Sequence, residues 1–150
     1  MKRAIIALGF FVFGFLIAPY TPVFADTQTN QFLPRQHIPF EAIKVYPEEV
    51  RIIYPGLQYA KVTSNSMAPL ITASSTIVEK VPKTPYEIRA GDIISFYEPE
   101  ENSVIIHVVT RVVNEKGKTA YRTKGFANQN EDEWLVPFEN VKGILVAVLR

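Results

Sequence analysis

Ser103-Val104-Ile105-Ile106-His107-Val108-Val109-Thr110-Arg111-Val112-Val113 is the longest apolar run in the body of the chain. Its density of β-branched residues and lack of helical spacing mark a long strand. Shorter runs of the same kind lie on both sides. Upstream are Val50 to Tyr54, ending at Pro55-Gly56, then Gln58 to Val62, Thr76 to Val81, and Ile93 to Tyr97 after Gly91-Asp92. Downstream, Asn114 to Lys118 reads as a hairpin turn, Thr119 to Lys124 as the returning strand, and Val141 to Leu149 as the closing strand. Only a turn or two near Phe40 to Ile43 or Met67 to Ile71 reads as helical within this region. Strands do not alternate with helices, so a parallel sheet is not expected. The expected class is all-β: a coiled, barrel-like antiparallel sheet, preceded by one N-terminal apolar helix.

Composition narrows the chemistry. Among 150 residues 47% are apolar, enough for a core, and the net charge is +1. That balance carries no electrostatic footprint for nucleic acid. Cysteine is absent, which removes disulfides and thiolate chemistry, and with only two histidines a structural zinc site is not expected.

The chain begins Met1-Lys2-Arg3 and then runs without charge from Ala4 to Ala18. This is a targeting or anchoring segment, oriented by its leading positive charges. At about 15 residues the strictly apolar run is short for a span, which needs roughly 20. Counting on to Phe24-Ala25 reaches that length, across two prolines. Val23-Phe24-Ala25 also has the small residues of a secretory cleavage site. A retained anchor and a peptide cleaved after Ala25 are both open. The expected organisation is 1–25 anchor or signal peptide, 26–39 linker, and 40–150 domain, and His37 in the linker is expected to be solvated.

Ser64-Asn65-Ser66-Met67-Ala68-Pro69 presents two hydroxyls on a turn or strand end, because Pro69 restricts the residue before it. A solvated turn is the simpler account of such a run. His107 offers a partner. An imidazole within an apolar strand needs both ring nitrogens satisfied, and held there it can serve as a general base for a serine hydroxyl. A carboxylate behind it would fix its tautomer. Candidates lie in the polar loop Lys124 to Glu133.

Taken in order, these segments resemble the signal peptidase I family of membrane-anchored serine proteases, its archaeal and endoplasmic-reticulum branch more than its bacterial one. Ser64-Asn65-Ser66-Met67-Ala68-Pro69 is similar to the S-x-S-M-x-P box. Gly91-Asp92-Ile93-Ile94-Ser95-Phe96 is similar to the G-D strand. His107 stands at the base position, Thr123-Lys124-Gly125 with Asn128 and Asp132 at the acidic segment, and Val141-Lys142-Gly143 at the closing element. The resemblance covers roughly Val62 to Leu149. Two positions depart from it: Val108 where Arg is usual, and Phe126 where an acid follows Lys-Gly.

The resemblance implies a signal-peptidase fold for 40–150, with Ser66 as nucleophile, His107 as base and Asp132 as orienting acid. The Ser66 N–H would hold the oxyanion, with the Ser64 hydroxyl as a second donor. It implies a membrane-bound serine endopeptidase, single-pass, with its catalytic domain outside the cytoplasm, and it implies no metal or organic cofactor. Its partners would be membrane lipid and the signal peptides of exported pre-proteins, which it would cleave in signal peptide processing. The alternative, motivated by Phe126 and Val108, is a non-catalytic extracytoplasmic binding or assembly module on the same fold.

Overall fold

A computed structural model describes residues 35–150. Nine strands run β1 (Ile43–Val45), β2 (Val50–Ile52), β3 (Leu57–Lys61), β4 (Thr76–Lys80), β5 (Ile93–Glu98), β6 (Ser103–Glu115), β7 (Lys118–Lys124), β8 (Val136–Pro137) and β9 (Val141–Leu149). β1 and β2 form a separate ribbon, and the other seven form one sheet in the order β3-β4-β9-β5-β6-β7-β8. All pairings are antiparallel. The long apolar run therefore becomes β6, as its composition predicts. Its hairpin with β7 turns at Lys116 and Gly117, both at positive φ (51° and 83°), where glycine carries no steric cost.

Two expectations about the fold are corrected. The helical structure among the described residues is limited to 3-10 turns at Phe40–Ala42, Pro85–Glu87 and Phe138–Asn140. No helix among them is long and apolar enough to cross a membrane. The described fold thus has no apolar helix, and the run from Ala4 to Ala18, with the cleavage position after Ala25, lies outside the described residues. The sheet is also open rather than closed: β3 and β8 are its two ends.

The core forms two clusters on opposite faces of the sheet. Met67, Ile71 and Val62 pack with Ile77, Ile93, Ile106 and Val108. Ile88, Ile94, Phe96, Val109, Tyr121, Val136 and Ile144 form the second. Both faces of β6 are therefore buried between Ile106 and Val109. A register shift between Val109 and Arg111 then turns Arg111 outward, against the strict alternation that would place it beside His107.

The segment expected to be a linker ends docked. Asp92, buried behind the Gly91 turn (φ 93°), accepts from Arg35 Nη2 at 2.9 Å, from the Arg89 N–H at 2.8 Å, and meets His37 Nε2 at 3.0 Å. Burial pushes this carboxyl up, but the bonds from His37, Arg35 and Arg89 outweigh it and hold its pKa below the ordinary 3.8. His37 is accordingly a packed side chain, not a solvated one.

Candidate active site

Ser66 sits on the crossing from β3 to β4, at the point where the chain dips into the core. Its neighbour Met67 is 1% exposed and fills the first cluster. Burying a methionine there fixes the backbone on which Ser66 stands. Turn bonds complete the support: Ala68 N–H to Asn65 O, Ile71 N–H to Met67 O, and Ala73 N–H to Asn65 Oδ1, each 3.0 Å. None of these uses the Ser66 N–H. The Ser66 carbonyl accepts from Ala127 N–H at 2.9 Å, tying the turn to the loop after β7.

Ser66, His107 and Asp132 come together in a line. His107 Nε2 lies 3.1 Å from Ser66 Oγ, and His107 Nδ1 lies 2.6 Å from Asp132 Oδ2. The imidazole is buried on β6 and meets Phe96 edge-on, with ring centroids 6.3 Å apart. Ser66 itself is only half-buried. An ionised Asp132 can only accept, so it takes the Nδ1–H and leaves Nε2 free to accept from the serine. Ser64 Oγ stands 3.4 Å from Ser66 Oγ, at the edge of hydrogen-bond range.

The carboxylate is built to remain charged. Burial pushes Asp132 up, but hydrogen bonds from His107 and Thr123 hold it below the ordinary 3.8. Thr123 Oγ1 donates to the same Oδ2 at 2.6 Å, and Asp132 N–H donates to Thr123 O at 2.8 Å. Arg122 Nη1 donates to the carbonyls of Asp132, Glu133 and Trp134, at 2.9 to 3.0 Å. Sequence reasoning missed Thr123 and Arg122 in these roles. Their signal was only adjacency on the returning strand, whose alternation points one inward and the next outward.

The other acids of the loop stand apart from the imidazole. Glu131 accepts from Thr110 Oγ1 at 2.6 Å and from Arg111 Nη2 at 2.7 Å. Phe126 is 42% exposed beside the site. Asp132 reaches His107 without an acid at position 126. No group of three or more His, Asp or Glu side chains arranged to hold a metal ion occurs among the described residues.

In the sequence Gly125 reads only as part of a motif, yet the site depends on its missing side chain. A Cβ there would stand 2.6 Å from Ser66 O, 2.8 Å from Asn128 Nδ2 and 2.9 Å from His107 Nε2. Gly125→Ala must therefore push the serine turn and imidazole apart. Displacement on this scale is expected to lower reaction at Ser66 by about 100-fold. The rate of ester hydrolysis, measured beside a thermal melt, checks it.

No family model matches the chain, and no curated protein matches it. The membership in the signal peptidase I family that the motifs implied is therefore corrected: neither comparison supports it. With it go the expectations that rested on it: a membrane-bound, single-pass enzyme with an extracytoplasmic domain, membrane lipid as partner, and signal peptides of exported pre-proteins as substrates. The motifs have local physical causes of their own. Asp92 pins Arg89, Arg35 and His37, Met67 plugs the core, and Gly125 and Gly143 stand where a Cβ would collide with a neighbour. Short motifs of this kind record packing needs as readily as kinship.

Proposed function

We propose that this β-domain binds extended peptides and cleaves them as a serine hydrolase. The observation that carries the reading is the hydrogen-bonded line from Ser66 through His107 to Asp132. Ser66 Oγ attacks the scissile carbonyl as His107 Nε2 takes its proton, and Asp132 Oδ2 stabilises the imidazolium through Nδ1–H. The oxyanion forms beside the Ser66 N–H and the Ser64 hydroxyl. The imidazolium then protonates the leaving amine, giving an acyl-enzyme. Water, deprotonated by the same nitrogen, attacks the ester and releases the acid.

The surroundings support a peptide as the substrate. Among the described residues β3 pairs only with β4, which leaves its other edge unpaired there. Among the same residues the start of β6 pairs with β5 alone, since its pairing with β7 begins at Val108. A groove of about 390 Å³ lies between these two strands, lined by residues 58–64 and 104–106. Its end at Ser64 adjoins the nucleophile. An extended chain laid there would gain backbone hydrogen bonds from a free strand edge.

A second reading keeps the groove and omits the chemistry: a non-catalytic binding module. The unpaired edges favour it, because they would hold a peptide whether or not Ser66 reacts. Incubating the full chain with a mixture of unstructured peptides and reading products by mass separates the two. The hydrolase reading expects cleavage that disappears in Ser66→Ala. Intact peptides with the wild-type chain leave the binding module.

A further inference from the structure

The groove holds a feature the hydrolytic line does not use. Glu79 on β4 is 1% exposed and Ser95 on β5 is 3% exposed, and both line the groove that begins at Ser64. Glu79 Oε2 takes one long bond, 3.3 Å, from Gln58 Nε2, whose amide also donates to Lys142 O at 3.1 Å. Among the described residues neither Glu79 Oε1 nor Ser95 Oγ makes a hydrogen bond of normal geometry, although the Ser95 hydroxyl lies near enough to the carboxyl to lower its pKa. Buried polar atoms are nearly always paired, so two orphans side by side at a groove call for a ligand.

The sheet makes room for this carboxyl. β9 runs between β4 and β5, and the register shifts between Val78 and Glu79. Gly143 of β9 pairs with Ser95, and a Cβ on it would stand 2.7 Å from Glu79 Cβ and 2.9 Å from Oε2. The absent side chain thus lets Glu79 lie across β9 toward Ser95. Desolvation raises the Glu79 pKa above its ordinary 4.5, against the lowering influence of the nearby Ser95 hydroxyl and Gln58 amide. A donor arriving from the groove would relieve that penalty.

We propose that Glu79 and Ser95 form the floor of a specificity pocket that takes a hydrogen-bond-donating side chain of the bound peptide, an amide or an amine, opposite Glu79 Oε1. Glu79 is a specificity residue here, not a catalytic one, for it lies apart from the Ser66–His107–Asp132 line. The pocket rests on the groove being the peptide site and not on Ser66 chemistry.

The test uses the full chain carrying Ser66→Ala, so that bound peptide is not consumed. Short peptides hold Met, Gln or Lys at each position in turn, and affinity is measured by fluorescence anisotropy. At one position Gln or Lys should bind about tenfold more tightly than Met. Adding Glu79→Met should erase that difference. Glu79→Gln, which keeps the shape, should erase the advantage of Lys over Gln and guards against misfolding of the Met variant. A preference for Lys alone identifies an amine, and one shared with Gln an amide. Equal affinities at every position, a preference that survives both Glu79 variants, or no binding at all overturns the proposal. Donor-selective binding in a protein whose Ser66 never reacts would remove the hydrolase reading and leave this pocket standing. Hydrolysis without donor preference would do the reverse.

Discussion

His107→Ala is expected to lower hydrolysis by roughly five to six orders of magnitude, to the level of Ser66→Ala. Without the imidazole, Ser66 Oγ has no base at 3.1 Å and its proton has nowhere to go during attack. Removing two members of such a unit costs about what one costs, so the double variant His107→Ala/Ser66→Ala should be no slower than either alone. The substitution also takes from Asp132 one of its two side-chain donors, leaving Thr123. A loss of about 1–3 kcal/mol of stability follows from the under-satisfied buried carboxylate. His107→Gln separates the two effects: its amide can still donate to Asp132, so it should be the more stable variant while remaining as inactive. Steady-state rates on protein shown to be folded by circular dichroism check both.

Asp132→Asn is expected to reduce kcat by about 10,000-fold, near 5.5 kcal/mol of transition-state stabilisation. Asp132 Oδ2 accepts from both His107 Nδ1 and Thr123 Oγ1 at 2.6 Å. An amide presents one acceptor oxygen and one donating nitrogen. Both bonds go to that one oxygen, so an amide that turns its nitrogen there faces the ring with an N–H and favours the tautomer protonated at Nε2, which cannot accept from Ser66. The imidazolium of the transition state also loses its counter-charge. Glu131→Gln makes the contrast, since its carboxylate is held by Thr110 and Arg111 away from the ring. That variant should retain most of the rate, and equal losses in the two would contradict the role given to Asp132.

Much of the sheet could be read from the chain because its strands are short, β-branched and bounded by Pro and Gly. β9 runs from Val141 to Leu149, and β6 starts at Ser103, where the composition places them. β1 and β8 were not foreseen: they hold three and two residues, too few to carry a period. The shift after Val109 was hidden for another reason, because a bulge is set by the partner strand. At the site, Ser66 and His107 were legible as chemistry-bearing types at suggestive places, whereas Asp132 was singled out from its acidic loop only by the motif likeness. The parts that hold them were not. Thr123, Arg122 and the space around Gly125 act through contacts between chain-distant elements, which no linear pattern encodes. Glu79 was invisible for the same reason: on β4 it reads as one polar residue in an alternating strand, and only the gap at Gly143 explains its burial.

The motif likeness misled where local need and ancestry look alike. Gly91-Asp92 reads as a family signature, yet a positive-φ turn and a buried carboxylate binding the Arg89 N–H require those residues in any protein with this corner. The apolar start of the chain lent the likeness further weight, although it lies outside the described residues. What survives that correction is the geometry itself, which stands on distances and burial rather than on kinship.

The most direct test of that geometry is the intact mass of the full chain after exposure to a fluorophosphonate. The account predicts one phosphonyl adduct, located on Ser66 by peptide mapping and absent from both Ser66→Ala and His107→Ala proteins. No adduct on folded wild-type protein, or labelling of Ser66 that persists at full rate in His107→Ala, would contradict it.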